Sequence, residues 1–200
     1  MASDYVEEGL ALMESGDYTG AVESFSKALR LTLGDLATVL VYRGDAYAAQ
    51  GEHDLALADF NEALRQNPYL PEAYAARGNL RRLLGDLYGA VEDHTAALQI
   101  EPEFLEAYYN RALALEELHL LAEAEADLTR VLTLNPGVAL GYYARGQIRA
   151  ARRDYTGAIS DLQRYLRMGG GRTYDNHGET QSLLLTLQFR RVVNKVLPFV

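Results

Sequence analysis

Residues 71–104 read PEAYAARGNLRRLLGDLYGAVEDHTAALQIEPEF, and residues 105–138 read LEAYYNRALALEELHLLAEAEADLTRVLTLNPGV. The two stretches stay in register for 34 positions, with Tyr74 over Tyr108, Arg77 over Arg111, Ala90 over Ala124, Asp93 over Asp127 and Pro102 over Pro136. Outward from this pair the rhythm continues. Arg43 and Arg145 extend the arginine series, Asp59 and Asp161 the aspartates, Ala56 and Ala158 the alanines, and Pro68 the prolines. Self-similarity at a fixed period of this size marks an array of supersecondary units, each burying its apolar face only against its neighbours.

Each unit divides into two helical stripes. In residues 37–70, Leu40, Arg43, Gly44 and Tyr47 recur at spacings of three and four, Gly51 interrupts, and Ala56, Phe60, Ala63 and Leu64 resume the pattern before Asn67 and Pro68. Gly51 and Gly85 suit a reversal with positive φ, and the proline ends the second helix. His119 and Arg153 take the glycine's place in the next two units, which predicts strained turns there. Small residues at Gly44, Gly78, Ala56, Ala90 and Ala124 let paired helices approach, with Tyr47 and Phe60 filling the gaps beside them. His94 stands in the place of Phe60, and Tyr165 stands where the first three units have Ala, a change expected to alter the outer face of the fifth. A first unit is legible from Tyr5, Gly9, Gly16, Tyr18, Ala21, Phe25, Ala28 and Leu29. The expected division is five units, about 2–35, 37–70, 71–104, 105–138 and 139–172, with a capping helix and tail over 173–200.

Taken in order, the aromatic, Gly, Tyr, Gly, Ala, Phe, Ala and Pro of this unit resemble the tetratricopeptide repeat over about residues 2–172. The resemblance implies an all-α fold, a right-handed α-α superhelix of helix-turn-helix repeats whose first helices line a concave groove for peptides or protein segments. The faces of those helices turned from their own partners carry Tyr42, Asp45, Asn79, Arg82, Tyr109, Asn110, Leu113, Tyr143 and Gln147. Amides that donate and accept, beside rigid tyrosine faces, suit an extended backbone; a merely solvated polar surface is the other reading. Family members that grip a C-terminal carboxylate of heat-shock proteins use lysines, asparagines and an arginine in these helices. Here Lys27 and Lys195 are the only lysines and lie in neither kind of position, while Val6, Glu7 and Leu10 open the groove. A carboxylate clamp is not expected.

Units two to five hold both an Arg in the first helix and an Asp in the second, whereas the first unit has Glu8 and Ser24 there. Pairing inside one unit satisfies all four arginines, which predicts Arg43–Asp59, Arg77–Asp93, Arg111–Asp127 and Arg145–Asp161 as bidentate clips between helices.

The balance of charge is uneven. Residues 1–138 carry 24 acids against 9 bases and residues 139–200 carry 4 against 10, so the net −9 conceals an acidic stretch of −15 and a basic one of +6. This is either a solvated surface or a means of steering a charged partner, including another copy head to tail. The absence of cysteine excludes a disulfide framework and leaves the redox compartment open. An acidic chain without an apolar run of membrane length and without a leader-like start is expected to be cytoplasmic, with no membrane and no nucleic-acid partner. His53, His94, His119 and His177 lie far apart in no metal-binding pattern, and there is no nucleophile elbow, so neither catalysis nor a cofactor or metal is expected. Seventeen arginines against two lysines point to GC-rich codons and a bacterial source.

Gly169, Gly170 and Gly171 read as a flexible helix end rather than a phosphate loop, since neither the strand nor the lysine of that motif is present. Asn176 with Glu179 reads as an N-cap opening a helix from about His177 to Val196, before Pro198. Its apolar residues Leu183, Leu185, Leu187, Phe189, Val192, Val193, Val196 and Leu197 cover about 200°, wider than the roughly 100° stripe of a surface helix, with Leu184 on the other side. The stripe either fills a wide groove or supports self-association, Phe199 and Val200 included. The partner is therefore read as a protein or peptide bound by a scaffold; a homo-oligomer built through the terminal helix and a regulatory subunit of an enzyme are the alternatives.

Overall fold

A computed structural model of the chain describes residues 2–31 and 36–196. It forms two compact units, residues 1–107 and 108–200, and among the described residues every regular element is an α-helix. The first unit holds α1 (Ala2–Ser15), α2 (Tyr18–Leu31), α3 (Leu36–Ala49), α4 (His53–Gln66), α5 (Pro71–Leu83) and α6 (Leu87–Ile100). They pair as the hairpins α1/α2, α3/α4 and α5/α6, with α2 packed on α3 and α4 on α5. α7 (Leu105–Glu117) begins in that unit and supplies Tyr108 onward to the second, which continues with α8 (Leu121–Leu134), α9 (Ala139–Ala151), α10 (Tyr155–Arg167), α11 (Gly170–Thr173) and α12 (His177–Val196). There α9 pairs with α10, α8 packs on α9, and α12 lies on α10. Among the described residues no helix is long and apolar enough to cross a membrane.

The hairpins reverse by one device. Gly16, Gly51 and Gly85 have φ near 81, 81 and 85°, and His119 and Arg153 are driven into the same left-handed region, at 60 and 64°. In all five turns the next amide donates to the carbonyl five residues earlier, as from Glu52 to Tyr47 at 2.9 Å and from Leu120 to Leu115 at 2.8 Å. The following helix is then capped where the sequence reads Asp-x-x-Gly: Asp17, Asp86 and Asp154 accept from the amides of Gly20, Gly89 and Gly157 at 2.9, 3.0 and 2.9 Å. This cap escaped the sequence reading, although its spacing repeats openly.

Small residues permit the close approach that the repeat requires. Ala21, Ala56, Ala90, Ala124 and Ala158 are fully buried, and so are Phe25, His94, Leu128 and Leu162 in the large position, with Phe60 beside them at 1% exposure. A Cβ on Gly44 would stand 2.5 Å from the Phe60 ring, so the first helix can reach its partner only as glycine at that point.

All four predicted ion pairs form, each bidentate: Arg43–Asp59 at 2.7 and 2.7 Å, Arg77–Asp93 at 2.9 and 2.7 Å, Arg111–Asp127 at 2.7 and 2.7 Å, and Arg145–Asp161 at 2.9 and 2.8 Å. Each guanidinium also lies over a tyrosine ring of its own helix, Tyr47, Tyr74, Tyr108 or Tyr142, at 5.6 to 5.9 Å. A third arm reaches back to the preceding hairpin, where Arg43 donates to Ser26, Arg77 to Asn61 and Arg145 to Thr129. The arginine therefore ties two helices of one unit and also stitches that unit to its predecessor, a role that pairing by composition had not suggested.

The array ends differently from its expected form. Tyr165 does not decorate an outer face; it is fully buried, packed against Tyr143 at 4.9 Å and stacked with Tyr174 at 6.5 Å. Gly169 turns the chain at φ 80°, and Gly170 and Gly171 are buried in the single turn of α11 instead of forming a flexible end. A Cβ on Gly170 would lie 2.1 Å from the Tyr165 ring, so this glycine makes room for the tyrosine. Asn176 opens α12 with its backbone carbonyl, which accepts from Thr180 N at 2.9 Å and Thr180 Oγ1 at 2.8 Å, while its side-chain oxygen accepts the Tyr165 hydroxyl at 2.8 Å. On α12, Leu184 and Leu187 are the residues that enter the core with Ala158, Ile159 and Leu162, so Leu184 belongs to the buried face and not to the far side. Leu185, Phe189 and Val192 are exposed at 68, 70 and 56%. Leu197, Pro198, Phe199 and Val200 lie outside the described residues, as does the side chain of Val196.

Candidate functional site

Helix geometry gathers part of the expected groove in the first unit. Tyr42 and Asp45 are one turn apart on α3, and Asn79 occupies on α5 the repeat position that Asp45 holds on α3. All three line a cavity of about 250 Å³ with Val41, Glu72, Ala75, Ala76, Phe104 and Glu106. It adjoins a hollow of about 120 Å³ reaching Thr38 and Leu70 and another of about 180 Å³ reaching Ala48 and Leu83. Arg82 lies one turn beyond Asn79, half-buried and outside that lining.

The electrostatics of the cavity are acidic. Burial, and after it the negative charge of Glu106, raise the Asp45 carboxyl from its ordinary range to about 7. The Asn79 amide donates to Glu106 at 3.4 Å, so the Glu106 carboxylate is held at the rim of the same cavity. Glu72 and Glu106 were not among the residues singled out from sequence, yet they stand 34 positions apart, each just before the Ala-Tyr that begins the repeat pattern. The signal was available; it lay one helical turn before the stripe used to choose the lining. A site so built presents carboxylates, an amide and a tyrosine face to an incoming group, and it can accept donors or hold a cationic side chain.

In the second unit, Tyr109, Asn110 and Leu113 are half-buried on α7. Tyr143 turns part of its ring to Tyr165, and its hydroxyl accepts from exposed Gln147 at 3.1 Å. Leu113 and Gln147 occupy the repeat position of Asp45 and Asn79, so a carboxylate stands at that position only at Asp45.

The sequence profile of the tetratricopeptide repeat matches residues 6–71 and 109–173, about two thirds of the chain. The fold is similar to that of a tetratricopeptide repeat protein from Parabacteroides merdae, with a TM-score of 0.74 at 21% identity over 97% of this chain and 75% of that one. It is also similar to MamA from Desulfovibrio magneticus, with a TM-score of 0.73 at 18% identity over 84% and 94% of the two chains. The first TPR of Spaghetti (RPAP3), solved bound to the HSP90 peptide SRMEEVD, gives a TM-score of 0.56 at 29% identity over 57% of this chain and 91% of that one. The first two likenesses establish the fold, a solenoid of helix-turn-helix repeats.

Proposed function

Because the chain belongs to the tetratricopeptide repeat family, we propose that it is a non-catalytic interaction scaffold whose first helices take up an extended protein or peptide segment, one that presents a cationic side chain to the first unit. The observation that carries this reading is the cavity in which Tyr42, Asp45, Asn79 and Glu106 converge. The division into five repeats over 2–172 and a cap over 173–200 is the frame of the proposal, with Arg82, Tyr109, Asn110, Leu113, Tyr143 and Gln147 as the remaining lining.

Charge decides the class of segment. The peptide held by the RPAP3 domain contains Glu-Glu-Val-Asp; here Asp45, Glu72 and Glu106 would repel such a sequence and attract Lys or Arg, with the Tyr42 ring as a stacking face. A second reading, self-association, is supported by the exposed Leu185, Phe189 and Val192 on α12.

Selection from a random peptide library separates the groove reading from its competitors. Wild-type protein should enrich peptides containing Lys or Arg, and Asp45→Lys or the pair Tyr42→Ala with Asn79→Ala should lose them. Enrichment of acidic C-termini, or enrichment indifferent to these substitutions, would remove the groove from the proposal.

A further inference from the structure

The chain holds its own arginines in one recurring way. At Arg43, Arg77 and Arg145 the guanidinium meets an aspartate of the facing helix, lies 5.6 to 5.9 Å from a tyrosine ring, and donates once more to a neutral side-chain oxygen of Ser26, Asn61 or Thr129. An anion, a ring face and a neutral acceptor are what this fold supplies to a guanidinium. The cavity of the first unit brings the same three kinds of group together, with no arginine in its lining. Asp45 is the anion, joined by Glu72 and Glu106, and Tyr42 is the ring, packed against Phe25 with centroids 5.8 Å apart. Asn79 is the neutral group: its NH2 donates to Glu106, which leaves its amide oxygen as an acceptor. The ladder aspartates each have a guanidinium, whereas among the described residues Asp45 has none, and burial followed by the Glu106 charge raises its carboxyl to about 7.

Resting on the groove reading above, we infer that this cavity takes the side chain of an arginine of the bound segment, in preference to a lysine. At about 250 Å³ it is smaller than the roughly 300–1,000 Å³ of small-molecule pockets, which suits one side chain, and the adjoining hollows receive its neighbours. The acceptors come from α3, α5 and the start of α7, so a planar guanidinium with its five donors reaches more of them than a compact ammonium with three. A guanidinium is also less tightly hydrated and stacks on a ring, and it therefore enters a partly buried, tyrosine-lined cavity at lower cost. Its charge gives Asp45 the partner that the ladder aspartates have and relieves the repulsion between Asp45 and Glu106.

Capture of the full chain by random peptide pools at pH 8, where Asp45 is ionised, tests this. Each pool lacks Lys and Arg except at one fixed position, which holds Arg, Lys, citrulline or Gln; citrulline keeps the shape of arginine without its charge. The Arg pool should bind the wild type most tightly, the Lys pool about tenfold more weakly, and the citrulline and Gln pools at background. Asp45→Asn should weaken capture of the Arg pool about tenfold, and Tyr42→Leu should narrow the gap between Arg and Lys, with circular dichroism confirming that both variants are folded. A Lys pool that binds as well as the Arg pool overturns the arginine preference and leaves a cation-binding groove standing. Arg-pool capture that neither substitution changes puts the arginine elsewhere and overturns the inference as well. Equal capture of all four pools, or capture of none, removes the groove reading along with it.

Discussion

Ala63 and Tyr165 occupy the same position of the repeat, on α4 and α10, and both are completely buried. The alanine is small because α5 lies directly over α4 and leaves no space. Past α10 the chain instead turns through Gly169, Gly170 and Gly171, and the tyrosine ring fills the space that a side chain on Gly170 would take. One position thus serves two purposes, decided by what comes after it. Inside the array, stability is spread over copies of one contact; at its end it is concentrated in a single side chain that joins α10, the α11 turn and, through Asn176, the start of α12.

The largest expected effect follows from that concentration. Tyr165→Ala empties a fully buried site and removes the acceptor's partner at Asn176, and it should lower stability by about 3–5 kcal/mol. Chemical denaturation followed by circular dichroism measures the loss, and hydrogen exchange should locate it on α12. A loss below about 1 kcal/mol would mean that the cap does not depend on the tyrosine.

The repeated contact is tested by its own cycle. In the Arg111–Asp127 clip the side chains are 21% and 8% exposed, so Asp127→Leu alone leaves a half-buried guanidinium without its carboxylate and should cost about 3 kcal/mol. The double variant Arg111→Met with Asp127→Leu should cost clearly less than the sum of the single ones. Strict additivity would show that the two side chains do not stabilise each other.

These two regions also differ in how far they could be read from residues alone. The arginine and aspartate series specify their partners because four copies agree and the first unit lacks both members, and the positive-φ turns at His119 and Arg153 follow from their register with Gly51 and Gly85. Periodicity is silent at Tyr165, which occurs once, so its burial depended on a glycine turn whose geometry no repeat foreshadowed. On α12, a stripe of about 200° was legible as too wide for one surface, but hydropathy cannot say which part enters the core; contact with Ile159 and Leu162 decides in favour of Leu184 and Leu187. At the groove, Tyr42, Asp45 and Asn79 were accessible from helical spacing, whereas the elevated Asp45 carboxyl required knowing that the carboxyl is buried and, after that, that Glu106 comes near it from a segment 61 positions away.

That carboxyl offers a comparison between the groove and the ion-pair ladder. The ladder aspartates meet guanidinium groups, while Asp45 meets burial and a like charge, so its folded pKa of about 7 stands above the unfolded value near 4. The folded state therefore binds the extra proton between those values, and the stability due to protonated Asp45 is present below about pH 4 and lost as pH rises through 7. Asp45→Asn should match the wild type at pH 4 and exceed it at pH 8 by an amount on the order of 2 kcal/mol. Denaturation at both pH values checks the sign. A cationic peptide in the groove should also bind the wild type more tightly above pH 7 than below it, a step absent from the Asn variant.

The smallest effect concerns the hairpin turns, and it distinguishes glycine from its substitutes at one backbone geometry. His119 at φ 60° repeats the reversal of Gly51 at 81°, with the same amide returning to the carbonyl five residues back, so the hydrogen bonding is unchanged by the residue type. What differs is the contact of Cβ with the backbone, which costs a non-glycine residue about 1–2 kcal/mol in the left-handed region. Glycine avoids that cost but loses more entropy on folding, by roughly 0.5–1 kcal/mol. His119→Gly should therefore stabilise the second unit by about 0.5–1 kcal/mol, with Arg153→Gly acting alike and the two effects adding across separate turns. Thermal melts of the single and double variants would show stepwise increases. A fall in the melting temperature would mean that the His119 side chain contributes more through its contacts than its backbone loses through strain.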